Sequence, residues 1–365
     1  MLAVIILSLA LLAKPTITVY LKANPANVTL NKIVIVTNTV KSVTPLGTVK
    51  SAITTLNSTL YKAECCVEEK ITVRGESYMT KSLIKKSNLK GTLSVLSEKN
   101  VTKLNLRVKG SLIVAFFFVR DSDIAVKLTI NNKKGEGLMQ VKGYVILPAP
   151  KKTVENLVKV YVNNIKSHLE SYGVKVNIAY KISGKMLPPL SRIDLNVTIK
   201  GNKENVMKLA ESLGLKNYLG LNNIGNITSI GTRRISGTFT VKSTLVKYRG
   251  TLATRSTLSA SVTGKYYNVT VTDEIKERLK VLLSAVGVKE LTNYLLPTSK
   301  VEISAFNSVK DNHAKIVIHI KGLMFKNTKG FWNALEKLVE SGKVSKIVVN
   351  CNGKEITSNW ASACS

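Results

Sequence analysis

The stretch Ile193-Asp194-Leu195-Asn196-Val197-Thr198-Ile199-Lys200-Gly201 alternates apolar and polar residues across its whole length. Side chains of a strand point to opposite faces in turn, so this reads as a strand with one face buried and one face wet. It sits inside Thr153–Ser212, which reads as helix, strand, strand, short helix. In the long helix Val154, Val158, Tyr161, Val162 and Ile165 trace one apolar stripe at helical spacing.

Moving outward, the same order recurs 121 residues later. Leu195, Val197 and Ile199 fall on Ile316, Ile318 and Ile320, and the helix stripe falls on Ile275, Leu279, Leu282, Leu283 and Val286. An odd shift keeps strand faces in step only when the register is meaningful, because a one-residue slip turns every side chain over. The short helix resumes at a shift of 129, with Leu209–Ser212 over Leu338–Ser341. The fold class expected is therefore α+β. Each antiparallel sheet is packed by a long amphipathic helix, and a unit of β-meander, helix, β-hairpin and short helix is duplicated.

The strand-rich segment upstream contains Lys32–Thr37, Lys70–Arg74, Gly91–Leu96 and Leu104–Val108. Between the first two, Val49–Tyr61 reads as a helix carrying Ile53, Leu56 and Leu60 inward. A faint echo of the repeat's short helix is read at Met79–Leu89. Leu112–Val119 is the most apolar internal run and reads as a buried strand. Strands continue through Ile124–Ile130 and Leu138–Leu147, joined by a Lys133-Lys134-Gly135 turn, and Gly173 ends the long helix. The second meander is read as Gly237–Val246, Tyr248–Ser256, Leu258–Gly264 and Tyr266–Val271. The resulting division is a signal peptide or N-terminal anchor at 1–23, a strand-rich region at 24–110 and repeat units at 111–230 and 231–350. A cysteine-bearing tail occupies 351–365.

Leu2–Ala13 is too short to span a bilayer, which takes about 20 residues, and reads as the apolar core of a secretory signal or an anchor. The expected location is extracellular or in the cell envelope. In that setting Cys65, Cys66, Cys351 and Cys364 are disulfide candidates. Adjacent cysteines on a strand point to opposite faces, so the expected pairing ties Cys65 and Cys66 each to the tail; a vicinal bond is the alternative. Asn27, Asn57, Asn100, Asn196, Asn226 and Asn268 each precede a Thr by two residues and are glycosylation candidates. One glutamine, Gln140, beside abundant lysine fits a thermophile.

No phosphate-binding glycine loop, dinucleotide fingerprint, metalloprotease helix or nucleophile elbow occurs. His168, His313 and His319 read as structural or solvated. Five aspartates are spread along the chain, and Asp121-Ser122-Asp123 lacks the further carboxylates of a calcium loop. No catalytic, cofactor-binding or metal residue is assigned, and zinc is not expected at the cysteines. The chain holds 54 Lys and Arg against 22 Asp and Glu, a net charge of +32. Such a field favours anionic partners. Lysines alternate along presumed outer strand faces without a long basic block or an aromatic-interleaved RNA motif. The expected function is that of an exported, non-enzymatic structural or binding protein. Its partners would be an anionic surface (lipid headgroups or acidic glycan) or an apolar ligand held between sheet and helix. A basic nucleic-acid-binding protein and a secreted hydrolase are the alternatives.

Overall fold

The computed structural model describes residues 13–14, 17–24, 27–39, 43–44, 47–114, 117–185, 188–212, 231–270, 273–274, 300–308, 313–324, 328–340, 348–351, 354–356, 358–359 and 362. In chain order the first strands are β1 (Ala13–Lys14), β2 (Ile17–Asn24), β3 (Asn27–Thr39), β4 (Val43–Thr44), β5 (Gly47–Lys62) and β6 (Val67–Thr80). Then come β7 (Ile84–Ser97), β8 (Val101–Val114), β9 (Phe117–Val119), β10 (Asp121–Asn131), β11 (Glu136–Leu147), helix α1 (Lys151–Glu170), β12 (Lys175–Lys185), β13 (Leu190–Asn202) and helix α2 (Lys203–Ser212). The last elements are β14 (Thr232–Tyr248), β15 (Thr251–Tyr267), β16 (Lys300–Ser308), β17 (His313–Met324), helix α3 (Thr328–Glu340), β18 (Val348–Cys351) and β19 (Lys354–Ile356).

This corrects the expected α+β class. The chain is mostly antiparallel β-sheet, and three helices accompany it among the described residues. Val49–Tyr61 is not a helix but strand β5, paired along its length with β6. The reason is legible in Thr48, Val49, Ile53, Thr54, Thr55 and Thr59, whose branched Cβ atoms are crowded in a helix and fit a pleated surface. Met79–Leu89 likewise falls at the end of β6 and the start of β7. Leu112–Val119 is not one strand either: its two ends belong to β8 and β9 and pair with each other, Leu112 opposite Val119. The four short strands expected between Gly237 and Val271 are two long ones. They turn at Arg249-Gly250, both with positive φ (47° and 82°), the pairing a two-residue hairpin turn requires.

The chain divides into two compact units, one built on Lys81–Ala260 and the other on Ile6–Thr80 with Ser261–Ser365. In the first unit the strand order is β14-β7-β8-β10-β11-β13-β12, antiparallel throughout. Its inner face carries Leu89, Leu93 and Val95 of β7, Leu104 of β8, Leu128 and Ile130 of β10, Met139 of β11 and Val197 and Ile199 of β13, all buried. Full burial of such a side chain contributes about 1.5–3 kcal/mol. The alternation read from Ile193–Gly201 therefore holds: the odd positions face in.

Two helices cover part of that face and do so unequally. Asn202 caps α2, its Oδ1 accepting from the Asn205 N–H at 2.8 Å. Val206, Leu209 and Ala210 of α2 are buried. Val206 lies over Gly137 and Gly201, where an added Cβ would come within 2.6 Å and 3.4 Å of its side chain. Helix α1 ends at Gly173 as expected (φ 74°), but of its apolar stripe only Val154 is buried. Val154 packs with Val119 and Leu147. Tyr161 and Ile165 are 59% and 49% exposed, and Leu157 and Val160 on the neighbouring flank are exposed too. The long helix thus does not cover the sheet in the way its periodicity implied.

In the second unit β2, β3, β17, β16, β5 and β6 pair antiparallel in that order, and β18 adds to β2 in parallel. The repeat is matched in part: the hairpin β12–β13 followed by α2 recurs as the hairpin β16–β17 followed by α3, and the difference lies in the other neighbour of the second strand. Strand β13 lies between β11 and β12, whereas β17, its counterpart at a shift of 121, lies between β16 and β3. The second-copy helix at Ile275–Val286 falls outside the described residues, as do residues 2–12 of the apolar leader. No described helix is long and apolar enough to cross a membrane.

Candidate functional site

Register places the even residues of β7, β11, β13 and β14 and the odd residues of β8, β10 and β12 on the outer face of the first unit's sheet. Read across the strands, one row is Thr240, Lys90, Lys109, Asp123, Tyr144, Asp194 and Lys181. The next is Thr238, Thr92, Arg107, Ala125, Lys142, Asn196 and Ala179. A third, Ser236, Ser94, Asn105, Lys127, Gln140, Thr198 and Asn177, follows. Beyond it Arg234, Lys103, Lys200 and Lys175 share a row. Basic residues recur in every row, spaced by hydroxyls and amides, and neighbouring strands stand about 4.8 Å apart. The reason is the period of two: the lysines alternate with the residues that fill the core.

The centre of this face is an organised polar network. Arg107 donates from Nε and Nη2 to the two carboxylate oxygens of Asp123 at 2.7 and 2.6 Å, and Lys109 adds an ion pair at 3.2 Å. The fork-to-fork geometry is the strong form of the carboxylate–guanidinium bond. It holds the Asp123 carboxyl below the usual carboxylate range: the Arg107 hydrogen bond is the main cause, and Lys109 reinforces it. Tyr144 donates to Asp121 at 3.0 Å, and this bond first, with burial second, pushes the phenol up. The Arg192 guanidinium lies 3.9 Å from the Tyr144 ring centre and donates to Asp194 at 2.9 Å. On the opposite side of β10, Ser122 donates to the Gly110 carbonyl at 2.8 Å.

Around this network lies an open depression of about 610 Å³, lined by Thr92, Ser94, Asn105, Arg107, Lys127, Lys142 and Tyr144 among others. Gly110 and Gly143 flank Asp121–Asp123 from the two sides, at φ 132° and 152°. A Cβ on either would meet the backbone carbonyl of Asn88 or Asp123 within 2 Å. Only glycine takes that backbone freely and lets the adjacent strand come so close. Asp123 and Asp194 are paired with cations of the same face, and Asp121 accepts from Tyr144.

A second cluster lies in the other unit, at the β5–β6 turn. Cys65 and Cys66 are bonded to each other, so the expected ties from each to the tail are replaced by the vicinal alternative. The Ala63 N–H donates to the Cys66 carbonyl at 2.8 Å and closes the turn. Four residues separate the strand ends, and both cysteines lie within that turn. Next to them Glu68 accepts from Tyr61 Oη at 2.6 Å and from Lys265 Nζ at 2.8 Å. Lys265 first and Tyr61 second keep its carboxyl low. Glu69 points the other way, buried, and accepts from Tyr266 Oη at 2.7 Å.

The remaining residues singled out from the sequence are placed as follows. Asn57, Asn100, Asn196 and Asn268 are exposed, Asn196 on the outer sheet face opposite Lys142 and Ala179. Asn27 begins β3, and Asn226 lies outside the described residues. Cys351 ends β18; its side chain and Cys364 lie outside the described residues. His168 is exposed on α1, edge-on to Tyr172 at 5.7 Å. His313 and His319 belong to β17, with side chains outside the described residues. Sequence reasoning missed Arg107, Asp123 and Tyr144 as a group. Their spacing of 16 and 21 residues is set by the register of β8 with β10 and of β10 with β11, and only strand pairing brings them together. The chain matches no protein-family model and no curated protein.

Proposed function

We propose that this chain is an exported, non-enzymatic binding protein that holds an acidic glycan on the outer face of its first sheet. The observation that carries the reading is the outer face itself. Lys and Arg recur in every row, hydroxyls and amides stand between them, and the acids are paired within the face. A polyanion laid across the strands meets a cation on nearly every one, and the depression around Tyr144 offers hydrogen-bond donors beside them. Such a surface draws anions by its summed field and releases them as salt rises. The Cys65–Cys66 bond supports an oxidising compartment. An apolar ligand between sheet and helix is disfavoured by Val206, which fills the space above Gly137 and Gly201.

The test is binding of the full chain to an acidic polysaccharide, to anionic lipid vesicles and to double-stranded DNA at matched charge, over a range of salt. The glycan is expected to bind at low salt and to be retained in salt that strips the vesicles and the DNA. Preference for DNA would replace this reading with the nucleic-acid one, and preference for vesicles would move it to lipid headgroups.

A further inference from the structure

We propose that the Cys65–Cys66 pair is a redox-gated metal site. On reduction its two thiols, with the Glu68 carboxylate, take one thiophilic divalent cation of the zinc or cadmium class. This inference is independent of the basic face and involves the other unit.

The geometry supplies three donors at one place. The two sulfurs and a Glu68 oxygen lie within 4.8 Å of one another. Two thiolates on one tetrahedral zinc stand ~3.8 Å apart, from a Zn–S distance of about 2.3 Å, so once the bond is broken the sulfurs part by about 1.7 Å from their bonded separation of about 2.05 Å, and the Glu68 oxygen closes by about an ångström. Glu68 is not a loose surface carboxylate. Tyr61 and Lys265 hold it from two directions, as outer partners hold the ligands of built metal sites. Cys65 is exposed and Cys66 is 8% exposed, so an incoming thiolate has one accessible sulfur to attack and a shielded one to displace.

The chemistry balances. A small dithiol attacks the Cys65 sulfur, the S–S bond breaks and Cys66 leaves as thiolate. The second thiol of the reductant then resolves the mixed disulfide. Two electrons and two protons pass to the protein, which becomes Cys65-SH and Cys66-SH, and the reductant leaves as its cyclic disulfide. The cation then displaces the two thiol protons and takes the Glu68 oxygen as a third donor, with water completing the shell. In oxidising surroundings the sulfurs are bonded to each other and the site is shut.

The experiment uses the full-length folded chain. It is reduced with dithiothreitol, freed of reductant without air, and titrated with Cd²⁺ while thiolate-to-metal absorbance is read. Differential alkylation with peptide mapping then locates the protected cysteines. The expected result is one Cd²⁺ per chain, only after reduction, protecting Cys65 and Cys66 together. Cys65→Ser abolishes it, and Glu68→Gln weakens it about 10–100-fold. Lys62→Ala, at an exposed side chain outside the donor set and its hydrogen-bond partners, retains binding within a few-fold, and unchanged melting curves of Cys65→Ser and Glu68→Gln exclude misfolding as the cause of a loss. Failure of the pair to reduce in the folded chain, absence of protection, or unchanged affinity in Glu68→Gln would each overturn the proposal.

Discussion

The inner and outer faces of the first unit's sheet are made by the same strands and differ in nearly every physical respect. On the inner face Leu104, Ile130, Met139 and Ile199 are at most 2% exposed, and the fit is close enough that α2 rests on bare glycine. On the outer face the side chains are long, charged and solvated, and what order exists comes from ion pairs around Asp123 and Asp194. The inner face supplies stability, because burial scales with apolar area, while exposed ion pairs contribute little. The outer face is therefore free to carry binding, since its residues can change without unfolding the sheet.

That division can be broken most forcefully at Gly143. Gly143→Val demands a branched side chain at φ 152°, against the Asp123 carbonyl. A loss of about 4 kcal/mol or more is expected, read as a fall in the urea midpoint or failure to fold. Next, Met139→Ala on the fully buried inner face should cost about 2–5 kcal/mol by the same measure. On the outer face, Lys127→Glu with Lys142→Glu should leave stability within about 0.5 kcal/mol per substitution. Affinity for an acidic polysaccharide should fall on the order of tenfold, with a shallower salt dependence. A large stability loss in that pair would erase the distinction between the faces.

A finer test uses acid. The folded pKa of Asp123 lies below its unfolded value, so its contribution is present above about pH 4. It is lost as pH falls through the lower folded value. Asp123→Asn should therefore be less stable than the parent at neutral pH, and the gap should close on the acid side of pH 4. The smallest effect is expected on α1. Leu157→Lys, at a side chain 47% exposed, should move the melting temperature by no more than a degree or two, which corresponds to about 0.5 kcal/mol or less.

Local features of this architecture were legible in the order of residues, and its overall class was not. The alternation of Ile193–Gly201, the Lys133–Gly135 turn and the helix stop at Gly173 all stand, because each rests on a local rule of period or φ. Helix-like spacing of Ile53, Leu56 and Leu60 misled, since β-branched neighbours outweigh a three-residue coincidence. The α1 stripe misled differently. Amphipathic period says which face is apolar, not how much of it finds a partner, and α1 has one buried residue where the shorter α2 has three. The outer-face network was out of reach, because its members are joined only by the pairing of β8, β10, β11 and β13. The cysteine pairing was named only as the alternative, because loop closure at residues 63–66 depends on where β5 and β6 end.

The most direct test of the two-faced sheet is one binding experiment on two proteins whose melting curves are first shown to agree. The parent chain and the Lys127→Glu, Lys142→Glu variant are each titrated with the acidic polysaccharide at low and at physiological salt. Tight, salt-sensitive binding by the parent and a tenfold or greater loss in the equally stable variant is the predicted result. Equal binding by both proteins, or no binding by the parent at low salt, would contradict it.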